Sequence, residues 1–181
     1  MERWLDLTRD AFKDLASVDL INTETMTLPE IQDILRRAAL LYIPGGNTFL
    51  LNHRLHLSKL IPYLRKLVQS LPVVAFSAGT VLCGLNILTS KDLNSVGTPY
   101  FEGLKAVTYN FLVHYGGDAY LQANHDNWLA DYHVFQDNPV IMMSDTAYIR
   151  VEGKKMFLES GDAWILRKGQ EKDKLEPGEF E

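Results

Sequence analysis

Cysteine is almost missing from this sequence. Cys83 is the single one among 181 residues, so no internal disulfide can form and nothing points to an oxidising compartment. Long apolar runs are missing as well: none approaches the roughly 20 residues that a membrane helix needs. The opening Met1-Glu2-Arg3-Trp4-Leu5-Asp6 is mixed in charge, unlike a secretory signal. A cytoplasmic location without membrane contact is therefore expected. Basic stripes are absent and the net charge is -5, which argues against a nucleic-acid partner. No internal repeat or low-complexity linker interrupts the chain, and its length suits one domain over residues 1–181.

What is present is a pattern of alternating helices and buried strands. Trp4, Leu5, Ala11, Phe12 and Leu15 recur at helical spacing, predicting an amphipathic helix over about the first 17 residues. Residues 18–21 form a short strand candidate. Thr27 and Glu30 have the spacing of a capping box, with Pro29 tolerated in the first turn, and open a helix to about Ala38. The apolar run 40–43, stopped by Pro44-Gly45-Gly46, reads as a buried strand ending in a tight turn. Residues 48–70 are helical again, broken near Pro62. A second buried strand over 72–76 leads into a helix over 78–85. This strand–helix grammar predicts an α/β fold with a mostly parallel sheet flanked by helices. Residues 111–115 form a further strand before Gly116-Gly117, and 128–135 look helical. Beyond Val140 the character changes. Residues 140–143, 148–151, 155–158 and 164–166 are short strands separated by turn residues, expected as antiparallel hairpins, and the charged tail after Lys168 reads as frayed.

In a parallel sheet the loops at the carboxyl ends of the strands carry the active site. Three such loops hold unusual residues. Ser77 directly follows an apolar strand, with Gly79 after it and Ala75 before it, as in a nucleophile elbow whose sharp turn requires small neighbours. A Ser-x-Gly triplet by itself is equally what an ordinary loop serine gives. Gly45-Gly46-Asn47-Thr48 again ends a strand before a helix, where backbone amides could stabilise an oxyanion together with the Ala78 amide. Without the serine, a Gly-Gly turn followed by an Asn cap explains that loop. His114 sits at a third strand end and is the histidine best placed to serve as base. His53 and His56 fall on the polar side of a helix, and His125 and His133 in a polar, turn-rich stretch. No His/Cys/Asp cluster has metal-ligand spacing, so neither a metal nor another cofactor is expected. Cys83, six residues past Ser77 on the following helix, reads as core.

Pro44-Gly45-Gly46-Asn47-Thr48-Phe49-Leu50-Leu51, then Ser77-Ala78-Gly79, then His114-Tyr115, in this order, resemble the dipeptidase E and cyanophycinase family of serine peptidases. The resemblance runs from about Trp4 to Lys168. It implies a class I glutamine amidotransferase-like, flavodoxin-like fold and a small peptide substrate. It further implies Ser77 as nucleophile, His114 as base, Gly46 and Ala78 as oxyanion donors, and Asn47 at the substrate. The histidine-orienting acid is Asp145 or Asp92. Asp145 is favoured, although it stands where the family carries a Glu, one methylene longer.

Two departures from the family pattern shape the expectations. Dipeptidase E carries arginines after its catalytic histidine that suit an amino-terminal Asp. Residues 116–138 here contain no Arg or Lys, so little or no preference for such substrates is expected. The strand, helix and strand that family members place before the region matching Trp4, including a central strand, have no counterpart. On that ground the chain is expected to be marginally stable alone or to form a homodimer through the uncovered edge. Two other classes of function compete with the peptidase: a non-catalytic amidotransferase-like binding module, and an esterase on the same site.

Overall fold

The computed structural model describes residues 2–117 and 119–180. Helix α1 (Glu2–Phe12) and helix α2 (Leu28–Arg37) precede strand β1 (Leu41–Ile43). Helices α3 (Thr48–Leu57) and α4 (Ile61–Leu67) follow, then strand β2 (Val73–Ala75) and helix α5 (Ala78–Cys83). Strand β3 (Asn110–Leu112), helix α6 (Ala119–Phe135) and strand β4 (Val140–Met143) come next. The chain ends in β5 (Tyr148–Glu152), β6 (Lys155–Ser160), β7 (Ala163–Leu166), β8 (Asp173–Lys174) and β9 (Gly178–Phe180).

The expected α/β grammar is present. β1 pairs parallel with β2, and β3 pairs parallel with β4. β4 continues antiparallel through β7 to β8, and β5, β6 and β9 form a separate antiparallel sheet. The largest core cluster packs α2 to α5 on one face of β1 and β2, around Ile31, Leu35, Ile43, Phe49, Leu60 and Leu82. Alternation along the strands explains this one-sidedness. Leu41, Ile43, Val73 and Ala75 turn into that cluster, while Val74 and Phe76 remain exposed on β2 and its end. A Cβ on Gly79 would lie 2.2 Å from the carbonyl oxygen of Ile43, so only glycine lets α5 begin this close to β1. Gly79→Ala is expected to lower stability by about 3 kcal/mol, since overpacking against backbone has nowhere to relax. An unchanged thermal midpoint for that variant would contradict the packing described.

Local signals mark their elements well. The Glu30 carboxylate reaches back to the Thr27 N–H and hydroxyl, each at 2.7 Å, at the start of α2. The break between α3 and α4 falls at residues 58–60, just ahead of Pro62.

Four expectations need correction. The first helix stops at Phe12, and Leu15 is exposed beyond it. Residues 18–21 form no strand, because β1, their nearest candidate partner in sequence, pairs with β2 alone. α6 begins at Ala119 rather than near Trp128, and it buries His125 and His133, which the sequence pattern placed in a polar, turn-rich stretch. The tail is not frayed: β8 and β9 extend two sheets, and Leu175 is buried in the second core cluster. Among the described residues no helix is long and apolar enough to cross a membrane.

Candidate active site

Ser77 occupies the junction between β2 and α5 with φ 51° and ψ -110°. A non-glycine residue held there is strained, and such strain persists only where surrounding structure fixes it. The fixing contacts are backbone bonds from Gly79 N–H to the Phe76 carbonyl at 2.9 Å and from Val81 N–H to the Ser77 carbonyl at 3.1 Å. The turn lifts the Ser77 hydroxyl out of the strand, within 2.9 Å of Nε2 of His114. His114 also has positive φ, 59°, at the end of β3. Its other ring nitrogen, Nδ1, lies 2.5 Å from the Asp145 carboxylate in the turn between β4 and β5. Three loops at the carboxyl ends of β2, β3 and β4 thus bring Ser77, His114 and Asp145 into one hydrogen-bonded row. The row is wet. The His114 side chain is 54% exposed and that of Asp145 76%.

The Gly45–Gly46 turn lies against the same serine. A Cβ on Gly45 would sit 3.1 Å from Cβ of Ser77, and Gly46 has φ 129°, where only glycine is unstrained. Asn47 caps α3. Its Oδ1 accepts from Leu50 N–H at 2.9 Å and its amide donates to the Leu93 carbonyl, also at 2.9 Å. Both the oxygen and the nitrogen of the Asn47 side-chain amide are thus bonded to backbone. Asp92 is used similarly. It accepts the Thr48 N–H at 2.7 Å and the Ser90 hydroxyl at 3.1 Å, placing a carboxylate at the amino end of α3. Asp145 contacts His114; Asp92 holds the glycine loop. Cys83 lies on α5 away from this row, and burial pushes its thiol up to about 12, far from a reactive thiolate.

Ser77 stands between two hollows. One, of about 220 Å³, is lined by Thr89, Ser90, Lys91, Asp92, His114 and His125 among others. The second, of about 840 Å³, runs away from Ser77, His114 and Asp145 between β2 and β5. The sequence pattern overlooked Lys91 and set His125 aside. His125 is only 6% exposed and its Nδ1 has no hydrogen-bond partner. Burial, with the nearby Lys91 charge, holds it below the ordinary histidine value and therefore neutral. Helical spacing carried a signal for it: His125, Leu129 and Tyr132 share one buried face of α6. Behind it, Tyr115 fixes the strand end that carries His114. Its hydroxyl donates to Asp126 at 2.7 Å and accepts from Lys172 at 2.6 Å, so the carboxy-terminal segment braces the site. Among the described residues, no group of three or more His, Cys, Asp or Glu side chains is placed to hold a metal ion.

The model of Peptidase family S51 matches residues 1–159. A "Probable alpha-aspartyl dipeptidase" of Drosophila melanogaster is 33% identical over 138 residues, covering 73% of this chain and 58% of that protein. Peptidase E of Streptomyces coelicolor is 30% identical over 141 residues, 75% of this chain and 58% of the relative. The chain thus spans a little over half the length of these two relatives. A crystal structure assigned as a peptidase E protein from Listeria monocytogenes EGD-e superposes with a TM-score of 0.65 at 20% identity, over 97% of this chain and 80% of that one. That likeness shows the shared fold. The chain belongs to peptidase family S51.

Proposed function

We propose that this S51-family chain is a serine hydrolase that cleaves a small peptide through an acyl-enzyme on Ser77. The supporting observation is the row Ser77–His114–Asp145, at 2.9 and 2.5 Å, on a strained serine turn. His114 Nε2 takes the hydroxyl proton as Ser77 Oγ bonds to the scissile carbonyl carbon. Asp145 holds the Nδ1–H and stabilises the imidazolium that forms. The Gly46 and Ala78 amides face the developing oxyanion. Collapse breaks the C–N bond, His114 returns the proton to the leaving amine, and water then releases the acyl group by the same steps. Hydrolysis of a dipeptide panel tests this. Ser77→Ala should abolish turnover, and turnover that survives it would favour a different nucleophile. A ligand that binds without turnover in the intact chain would favour the non-catalytic module.

The substrate's first residue belongs in the 220 Å³ hollow, whose exposed cation is Lys91. The expectation of no Asp preference rested on residues 116–138. Lys91 lies outside them and lines the same hollow as Ser77, as does Asp92, so a cation is available there. With a relative named for alpha-aspartyl dipeptidase activity, this supports an acidic amino-terminal residue. Lys91→Met should lower kcat/KM for Asp-X dipeptides about tenfold, about 1.4 kcal/mol, and leave Ala-X dipeptides little changed. Equal losses on both would remove Lys91 from specificity.

A further inference from the structure

A non-glycine residue at φ 59° persists only where its surroundings hold it, and the bonds to Ser77 and Asp145 hold the His114 ring, not its backbone. The β3–β4 ladder ends at Leu112, two residues short of His114. The chain is caught again at Tyr115, whose N–H donates to the Met143 carbonyl at 2.8 Å. Met143 closes β4, and Asp145 follows two residues later. Tyr115 therefore sets the spacing between the segment that carries the base and the turn that carries its acid.

Tyr115 is anchored from three elements. It is 2% exposed, and its ring meets Trp164 of β7 edge-on, with centroids 5.0 Å apart, and tilts against His125 of α6 at 5.6 Å. Its hydroxyl donates to Oδ1 of Asp126 at 2.7 Å. Lys172 donates to that hydroxyl at 2.6 Å and to Oδ2 of Asp126 at 2.7 Å, so each of the three groups is bonded to the other two. β8 starts at the residue after Lys172 and pairs with Ile165 and Trp164, which places the lysine. As a source of stability the ion pair is weak, since the Lys172 and Asp126 side chains are 32% and 40% exposed and water competes for both. As a constraint on direction it is tight, because a charged donor and a charged acceptor hold one buried hydroxyl from two sides. Lys172 also lies beyond residues 1–159, so this brace falls outside what the family match covers.

We infer that Lys172 is a positioning residue for the reaction: through Tyr115 it holds the His114 imidazole in line between Ser77 and Asp145. The effect on rate rests on the hydrolase reading, whereas the effect on the imidazole does not, so the test reads both. A displacement of about 1 Å at a reacting group costs about 10²-fold, so Lys172→Met should lower kcat at least about tenfold with KM changed less than about twofold. Tyr115→Phe keeps the ring and loses the hydroxyl, and should lose as much. Removing a single oxygen, it keeps the test decisive where Lys172→Met fails to fold. The double variant should lose no more than either alone, since both act through one contact. Lys172→Arg keeps a charged donor and should recover part of the loss. Lys174→Met detaches β8 from Asp162 but leaves Tyr115 alone, so this control for a loosened tail should leave kcat unchanged. Proton–nitrogen correlation NMR in mildly alkaline buffer, where a histidine is neutral, reads the His114 tautomer without turnover. The parent should show Nδ1–H, and Lys172→Met and Tyr115→Phe a mixture of both tautomers. Parent-like kcat and tautomer in these two variants overturn the inference, as does an equal loss in Lys174→Met. A raised KM with kcat kept would place Lys172 at the substrate, and also overturns it. If the parent cleaves no peptide the hydrolase reading fails, and the tautomer still decides whether Lys172 positions His114.

Discussion

Replacing His114 with alanine is expected to lower kcat on the order of 10⁶-fold, because a serine hydroxyl without its base is a poor nucleophile near neutral pH. The 2.9 Å contact between His114 Nε2 and the Ser77 hydroxyl offers a direct path for that proton. KM should change little, since His114 acts on the proton and not on the bound peptide. Steady-state kinetics with Ser77→Ala as the parallel variant checks this. Two residues acting as one unit should lose similar amounts, and the double variant should lose no more than either alone. A His114→Ala enzyme within tenfold of the parent would assign the base elsewhere.

Asp145→Asn should lower kcat by about 10³-fold at little changed KM. A buried triad acid costs about 10⁴ when replaced by its amide, because the wrong imidazole tautomer is then favoured. Asp145 is 76% exposed, so water can replace part of its contact and the loss is smaller. Asp92→Asn leaves His114 untouched and keeps an oxygen facing Thr48 N–H, so its cost in kcat should stay below about tenfold. The reverse ranking of these two variants would move the orienting role to Asp92.

The features legible in the sequence were those set by short-range chemistry. Thr27 with Glu30, the break before Pro62, the Gly45–Gly46 turn and the serine turn with Gly79 each involve neighbours along the chain, and each appears where the pattern put it. The strands after Val140 were legible because short apolar runs and turn residues repeat there. What was missed depends on contacts distant in sequence. Residues 18–21 have strand-like composition but no ladder partner. The charged tail is ordered by Lys172 meeting Asp126 and Tyr115, and by Leu175 entering a core that the tail alone does not reveal. Lys91 became a candidate only because the fold brings it to the same hollow as Ser77. His125 was hidden because the first half of α6 is polar, although its buried face keeps helical spacing. Asp145 could be named from the family likeness, and its 2.5 Å contact with His114 is long-range geometry that sequence spacing does not supply.

The central claim is that Ser77 is a nucleophile activated by His114, and the most direct measurement is reaction with a fluorophosphonate, with mass spectrometry locating the adduct. The account predicts one adduct, on Ser77, absent in Ser77→Ala and slowed by orders of magnitude in His114→Ala. An adduct on another residue, or labelling of Ser77 at the parent rate in His114→Ala, would contradict it.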